Sequence, residues 1–444
     1  MLNVGFPGRN LERQSPDFVI EALSDALPPQ WVTQALEQSG CSSIRKRLLP
    51  APFMVWFVIL MGLFRHTSYA NLLEKLHDGW WTTQQWPPDK LPTTTAVTKA
   101  RDRLGVEPMK LLFERVAAAE PTPSARRLFI IDGTCLKTPD TQKNREHFGA
   151  PKARRGASAS PQLRLCALLD VTDRRFRAVR HGGYHDGEIT LARGLLDDIP
   201  SGSLTLMDRN FLAYDFLWDL YQEGKRDFIV RVKKNITPVM LRRLGEGDAL
   251  VEAELPGEYH KKRPDMPQRW VLRMISYLPA GGDETIRLFT TQLDPAQLSK
   301  EEAAELYHTR WDEETAFDEL KTHLCEIASV NDPTAFRSKT PERVIQEMYG
   351  VLIAYNLIRR NMGESARGHA CSPLRLSFTA AVERIREAVY DMTRLPTPQL
   401  PLRYQKMLNA ISRARVPPRP GRHNPRAIKV KMSKHRVKRR QIAA

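Results

Sequence analysis

The chain of 444 residues is 41% hydrophobic and 27% charged, as expected of a globular protein of two or three folding units with one sizeable core. Its five cysteines (Cys41, Cys135, Cys166, Cys325, Cys371) are scattered and never in a CxxC arrangement, so neither a disulfide framework nor a thiolate zinc site is indicated. The net charge of +17 belongs to the C-terminal end: no acidic residue follows Asp391, and residues 392–444 hold 15 Lys or Arg, among them Arg436, Lys438, Arg439 and Arg440.

Up to about Glu120 the pattern is helical. Pro50 and Pro52 interrupt an uncharged run and leave Phe53 to Phe64 as one continuous helix, which reads as a buried core helix rather than a membrane span. The N-terminus lacks a basic start followed by an apolar run, so a cytoplasmic protein without a membrane partner is expected. After an aromatic cluster at Trp80, Trp81 and Trp86, a Thr-rich start can cap a helix within Thr93 to Ala118. A second helix follows Gly105 and Pro108 and carries Leu111, Leu112 and Val116. Two short helices about a glycine turn are either a DNA-reading helix-turn-helix or a plain helical hairpin.

A Pro-containing linker, Glu120 to Ser124, closes this helical domain at about residue 122, and the pattern then changes to strands. Leu128 to Asp132, Leu163 to Asp170 and Phe176 to Arg180 are followed by a helix (Glu188 to Asp197), a strand (Leu204 to Asp208), a helix (Ala213 to Gln222) and a strand (Phe228 to Val232). That order matches a ribonuclease-H-like mixed sheet, and gives 123–232 as the first part of an α/β domain. Residues 233–292 read as a β-rich insertion with strands Ala249 to Glu254, Trp270 to Tyr277 and Ile286 to Thr291. Residues 293–391 complete the domain with two helices. One runs from Lys300 to about Cys325 behind a capping box of Ser299 and Glu302; the other, Pro341 to Met362, has Thr340 before the proline of its first turn. The basic tail, 392–444, suits an arm that neutralises phosphates, the alternative being a solvated appendage kept for solubility.

Asp132 and Asp208 each end an apolar strand, the edge at which open α/β sheets place their ligands, although such an acid can also be a turn or cap residue. On the helix from Lys300, counting 100° per residue puts Tyr307, Arg310, Glu314 and Lys321 within one stripe about 60° wide, apart from an apolar face of Leu306, Thr309, Phe317 and Leu320. A tyrosine, a guanidinium, a carboxylate and an ammonium in line suit a phosphate-bearing substrate with a metal. The competing reading is an exposed helix laced with ion pairs such as Arg310 with Glu314.

The spacing Tyr307-x2-Arg310-x3-Glu314-x6-Lys321 resembles the Tyr-Arg-Glu-Lys signature of the bacterial insertion-sequence-four family of cut-and-paste DDE transposases. The contexts Asp132-Gly133-Thr134 and Asp208-x2-Phe211 are similar to that family's two catalytic aspartates. The stretch from Arg337 to Glu342, with Gln346-Glu347, resembles the family's segment C-terminal to its catalytic helix. The resemblance covers about Leu128 to Met362 and the tail from Arg413. It implies a catalytic and metal-holding set of Asp132, Asp208 and Glu314 with two Mg²⁺ or Mn²⁺ ions, one activating the attacking water and one stabilising the leaving oxygen. It also implies double-stranded DNA with terminal inverted repeats, a target DNA, and a homodimer in the synaptic complex. Tyr307, Arg310 and Lys321 would meet DNA. Trp270 and Trp311 are candidates for stacking on a flipped base, with core packing the alternative for each.

Competing readings are a ribonuclease-H-like nuclease without strand transfer and a non-catalytic DNA-binding derivative, which the three acids disfavour. A glycoside hydrolase with paired acids is disfavoured by the basic tail and by Arg310 and Lys321.

Overall fold

The computed structural model describes residues 23, 27–42, 48–80, 91–118, 127–151, 160–222, 226–279, 284–325, 336–392, 395 and 397–417, apart from the side chains of 77–80, 258, 260, 262, 311–314 and 325. The tail residues Arg436, Lys438, Arg439 and Arg440 lie outside this set, as do Trp81 and Trp86 and the side chains of Trp80, Trp311 and Glu314.

One nine-stranded sheet runs through the molecule in the order β3-β2-β1-β4-β5-β9-β8-β7-β6. Its first half holds β1 (Leu128–Lys137), β2 (Gln162–Asp170), β3 (Arg175–Gly183), β4 (Leu204–Met207) and β5 (Asp227–Arg231). Strands β1, β4 and β5 are parallel, and β2 and β3 form an antiparallel meander on the outer side of β1. This is the strand order expected of a ribonuclease-H-like sheet. The apolar run of β1 does not alternate because both of its faces are covered. Leu128, Ile130 and Leu136 enter one core cluster, and Phe129 and Ile131 enter another on the opposite face.

The second half holds β6 (Val239–Gly245), β7 (Asp248–Glu254), β8 (Arg269–Tyr277) and β9 (Ile286–Thr290), all antiparallel. Strand β9 pairs with β5, so the segment read as an insertion continues the same sheet. Strand β6 was not legible from alternation, because Val239, Met240 and Leu241 are exposed on both of its faces. Trp270 is 6% exposed; it packs edge-on to Trp218 at 5.2 Å and lies against Tyr221 and Phe228. Those contacts place Trp270 in the core, the packing role that was one of the two readings open to it.

The N-terminal region folds as α1 (Pro29–Gln38), α2 (Ala51–Leu63), α3 (Tyr69–Trp80), α4 (Thr94–Leu104) and α5 (Glu107–Ala118). Four short helices, α6 (Gln142–Phe148), α7 (Glu188–Arg193), α8 (Tyr214–Gln222) and α9 (Gly257–Lys262), lie between strands. After β9 come α10 (Lys300–Thr309), α11 (Trp311–Glu319) and the 28-residue α12 (Pro341–Gly368).

The uncharged helix α2 is buried along nearly its whole length, and no helix among the described residues is long and apolar enough to cross a membrane. It crosses α12 at Gly62 and Gly350. A Cβ at Gly350 would stand 2.7 Å from the carbonyl oxygen of Val58, so glycine is what lets the two backbones meet. As the sequence suggests, Thr93 caps α4 by accepting from Ala96 N, and Gly105, at φ 68°, turns the chain into α5. That turn is fastened to α12 by Gln346, whose amide donates to the carbonyls of Arg101 and Gly105.

A buried polar knot closes this interface. Glu347 of α12 pairs with Arg65 and accepts from Ser338 N at 3.1 Å, while Arg101 reaches Gln346 at 2.8 Å and Ser338 at 3.1 Å. Burial alone would raise the Glu347 carboxyl, but Arg65, Arg101 and Arg337 outweigh it and bring it down to about 2. The segment from Arg337 to Glu347 thus ties the N-terminal helices to the sheet domain. Two further helices, α13 (Phe378–Met392) and α14 (Leu400–Arg413), pack beside α12.

Candidate active site

Parallel register brings the two aspartates together. Ile131 of β1 pairs with Met207, the last residue of β4, so Asp132 and Asp208, each the next residue, stand at the same level. Asp208 follows the end of its strand as expected, but Asp132 does not end β1, which runs on to Lys137 because β2 continues to pair with it where β4 stops, and that expectation is corrected. Asp132 Oδ1 accepts from the N–H of Gly133 at 2.8 Å, and Asp208 caps a short 3-10 turn by accepting from Asn210 N at 2.7 Å. Burial pushes the Asp132 carboxyl up to about 6; Gly133 opposes this, the Asp208 charge adds to it, Arg310 lowers it and Glu188 raises it again.

The third acid stands on a helix that differs from its sequence reading. Residues 300–325 are not one uniform helix: α10 ends at Arg310, α11 begins after it, and Leu320–Cys325 form a π-helical turn. At the junction Arg310 N bonds back to Tyr307 O, a tightened i to i−3 contact, and the π turn is wider than an α turn. A constant 100° per residue therefore does not carry from Tyr307 to Lys321, and the single straight stripe is corrected. The expected cap holds, with Ser299 accepting from Glu302 N, and Phe317 and Leu320 face the core as expected.

Even so, the elements bring the polar residues to the same strand end. Tyr307 is buried; burial raises its hydroxyl, with Arg310 opposing and the Asp208 charge adding. The Arg310 guanidinium lies 5.8 Å from the Tyr307 ring centroid and 3.8 Å from Asp132 Oδ2. Lys321, in the π turn, lies close enough to Cys135 of β1 for its charge to act there. Glu314 belongs to α11, which packs against β1, and its side chain is among those not described.

The helix is anchored beyond Glu314. Glu319, its last residue, pairs with the buried Arg359 of α12 and accepts from the hydroxyl of Tyr355 at 3.0 Å, and Phe317 stacks on Phe176 of β3 at 5.7 Å. Sequence reasoning had Phe317 on the apolar face but did not single out Glu319, Tyr355 or Arg359.

Asp132 and Asp208 stand together with Arg310 at ion-pair distance but not at hydrogen-bond distance, leaving an excess of negative charge that a divalent cation would satisfy. Among the described residues no three His, Cys, Asp or Glu side chains form a metal-holding group, and the side chain of Glu314 lies outside them. The donor chemistry fits divalent ions with oxygen ligands.

Residues 123–357 match the Transposase DDE domain family, and residues 18–114 match the Insertion element 4 transposase N-terminal family. The chain is 28% identical over 423 residues to the Transposase InsG for insertion sequence element IS4 of Escherichia coli, covering 92% of each chain. It is also 28% identical over 230 residues to the Putative transposase InsZ of the same organism, covering 50% of this chain and 74% of that one. A cryo-EM structure of the piggyBac transposase synaptic complex with hairpin DNA aligns over 88% of this chain and 84% of that one, at a TM-score of 0.47 and 10% identity.

Proposed function

The chain belongs to the insertion-element-4 family of DDE transposases, enzymes of DNA cleavage and transfer that use divalent metal ions, and on that premise we propose that Asp132, Asp208 and Glu314 are its catalytic carboxylates. The observation that carries the assignment is the β1–β4 register, which sets Asp132 beside Asp208. The carboxylates would hold two ions, Mg²⁺ or Mn²⁺, and these supply Lewis acidity for both the attacking and the leaving oxygen. The chain supplies no nucleophile. Water cuts the phosphodiester at an inverted-repeat end of the element, and the freed 3′-hydroxyl then attacks the target strand with release of its leaving 3′-oxygen.

Around that centre, Arg310 and Lys321 bind and orient phosphates, Arg310 with a planar fork and Lys321 as a point charge. Tyr307, buried beside Asp208 and Arg310, holds the guanidinium in place. Trp311, next to Arg310, remains the candidate for stacking on a flipped base. The N-terminal helices and the basic tail, including Arg436, Lys438, Arg439 and Arg440, add sequence-independent grip on DNA, and two chains synapse two ends.

The test is cleavage of DNA carrying the element's ends. Asp132→Ala, Asp208→Ala and Glu314→Ala should each abolish metal-dependent cutting and strand transfer while end-DNA binding and folding persist. Near-normal cutting by any one purified variant removes that residue from the site. Cutting without strand-transfer products by the wild type would instead favour the nuclease reading.

A further inference from the structure

The row of residues level with Asp132 does not stop at Asp208. Met207 of β4 pairs with Val230 of β5 in parallel register, so Arg231, the last residue of β5, stands level with Asp208 as Asp208 does with Asp132. Ile131, Met207 and Val230 enter one core cluster, while Ile130, Leu206 and Ile229 enter the other. Alternation therefore turns Asp132 and Arg231 to the second face, where Tyr307 packs. The Arg231 charge is felt at the Tyr307 hydroxyl, as are those of Arg310 and Asp208.

Arg231 is not tied down as the buried arginines are. Arg273 grips Asp248 through two bonds of 2.8 and 2.6 Å, a two-pronged pair that satisfies both groups. Arg231, 27% exposed, instead brings Nη2 to 3.2 Å from Glu284 Oε1, and Lys234 Nζ lies 3.2 Å from the same oxygen. Lys234 sits in the loop after β5, which Arg287 of β9 holds by donating to the carbonyls of Lys233 at 2.9 Å, Lys234 at 3.0 Å and Ile236 at 2.9 Å. Near Arg231 the Tyr277 hydroxyl is buried without a hydrogen-bond partner among the described residues, a spare donor at this spot. A strand end and a braced loop thus aim a guanidinium and an ammonium at one anionic oxygen. That is the way a phosphate oxygen is held, and here a carboxylate takes the place.

We propose that Glu284 is a built-in competitor of DNA: in the DNA-free chain its carboxylate occupies a seat that Arg231 and Lys234 form for a backbone phosphate, and DNA displaces it on binding. The place of that seat beside the cleavage centre rests on the reading of Asp132 and Asp208 as catalytic acids. No bond is made or broken; one anion is exchanged for another.

The test is binding of the full chain, in chelator and over a salt series, to a duplex carrying the element's end and to an unrelated duplex, with melting temperatures for each variant. Glu284→Gln should bind about 2- to 5-fold more tightly, the change that corresponds to an exposed ion pair, and its log-log salt slope should steepen by up to about one unit. A gain on the end duplex alone assigns the phosphate to the element's end, and a gain on both assigns it to any duplex backbone. Lys234→Ala, at a position 81% exposed, should weaken binding and flatten the slope by about one unit with melting unchanged. The gain from Glu284→Gln should vanish when Arg231 and Lys234 are both alanine. It should shrink with Lys234→Ala alone, which decides the matter if the Arg231 variant fails to fold. A gain that persists in full in these backgrounds is general repulsion of DNA by an acid and overturns the proposal. Unchanged affinity in Glu284→Gln, while Asp208→Ala binds DNA but does not cut it, overturns the proposal and leaves the site standing. Cutting by Asp208→Ala overturns the underlying assignment instead.

Discussion

At Asp132 the strand that delivers the carboxylate also buries it, at a cost that a bound cation would relieve under the proposed assignment. Its carboxyl is raised to about 6 in the folded chain, chiefly by burial and then by Asp208. A raised acid contributes stability that is full below its unfolded value, near 4, and is lost as pH climbs through about 6. The cation-free protein should therefore lose up to about 3 kcal/mol from this group between mildly acidic and neutral pH. Asp132→Asn should be more stable than wild type at neutral pH in chelator, and the advantage should shrink as pH falls toward 4. Urea unfolding at several pH values checks this; equal stability at neutral pH would mean that Asp132 is not strained. Saturating Mn²⁺ should erase the difference or reverse it. The position of Asp132 was legible because an apolar run, Leu128 to Ile131, that gives way to Asp-Gly is a local pattern. The need for glycine at Gly133 was not, since the side chain that a Cβ there would meet is that of Glu188 in α7, 55 residues later in the chain.

The segment from Lys300 to Cys325 shows what an element adds to its residues. Its cap at Ser299 and the core-facing Phe317 and Leu320 follow from local sequence. The tightened turn at Arg310 and the widened one at Leu320 do not, because they answer to tertiary partners: Arg310 reaches Asp132, and Glu319 is drawn to Arg359 and Tyr355. Breaking this buried pair from one side strands a charge, which costs about 3–5 kcal/mol. Arg359→Met should show that loss in urea unfolding. The pair fixes the far end of the helix that carries Glu314, so the double change Glu319→Leu with Arg359→Met should regain most of the stability but not the cleavage rate. Full recovery of both would reduce the pair to a structural ion pair. Strand β6 was missed for the complementary reason: an edge strand exposed on both faces carries no alternation to detect.

For the molecule as a whole, the knot at Glu347 makes the N-terminal helices and the sheet domain one folding unit. Glu347→Gln would leave Arg65, Arg101 and Arg337 around a neutral amide, at a cost of about 3–5 kcal/mol. Helix and tryptophan signals should still fall together in one earlier transition; separate transitions would show that the N-terminal region folds alone. The helical, α/β and β-rich segments were legible from changes in hydrophobic period. Their union was not, because the link from β5 to β9 joins residues about 60 positions apart. That union also sets a length. From β1 to the edge strand β6 the sheet takes six lateral steps, each about 4.8 Å, so β6 stands about 29 Å from the strand that carries Asp132, the proposed catalytic acid, along a hydrogen-bonded path. A duplex seated on both would be measured off at about eight or nine base pairs, at roughly 3.4 Å of rise each. Within one hydrogen-bonded sheet that separation is set by strand spacing, and one further hairpin would add about 10 Å to it.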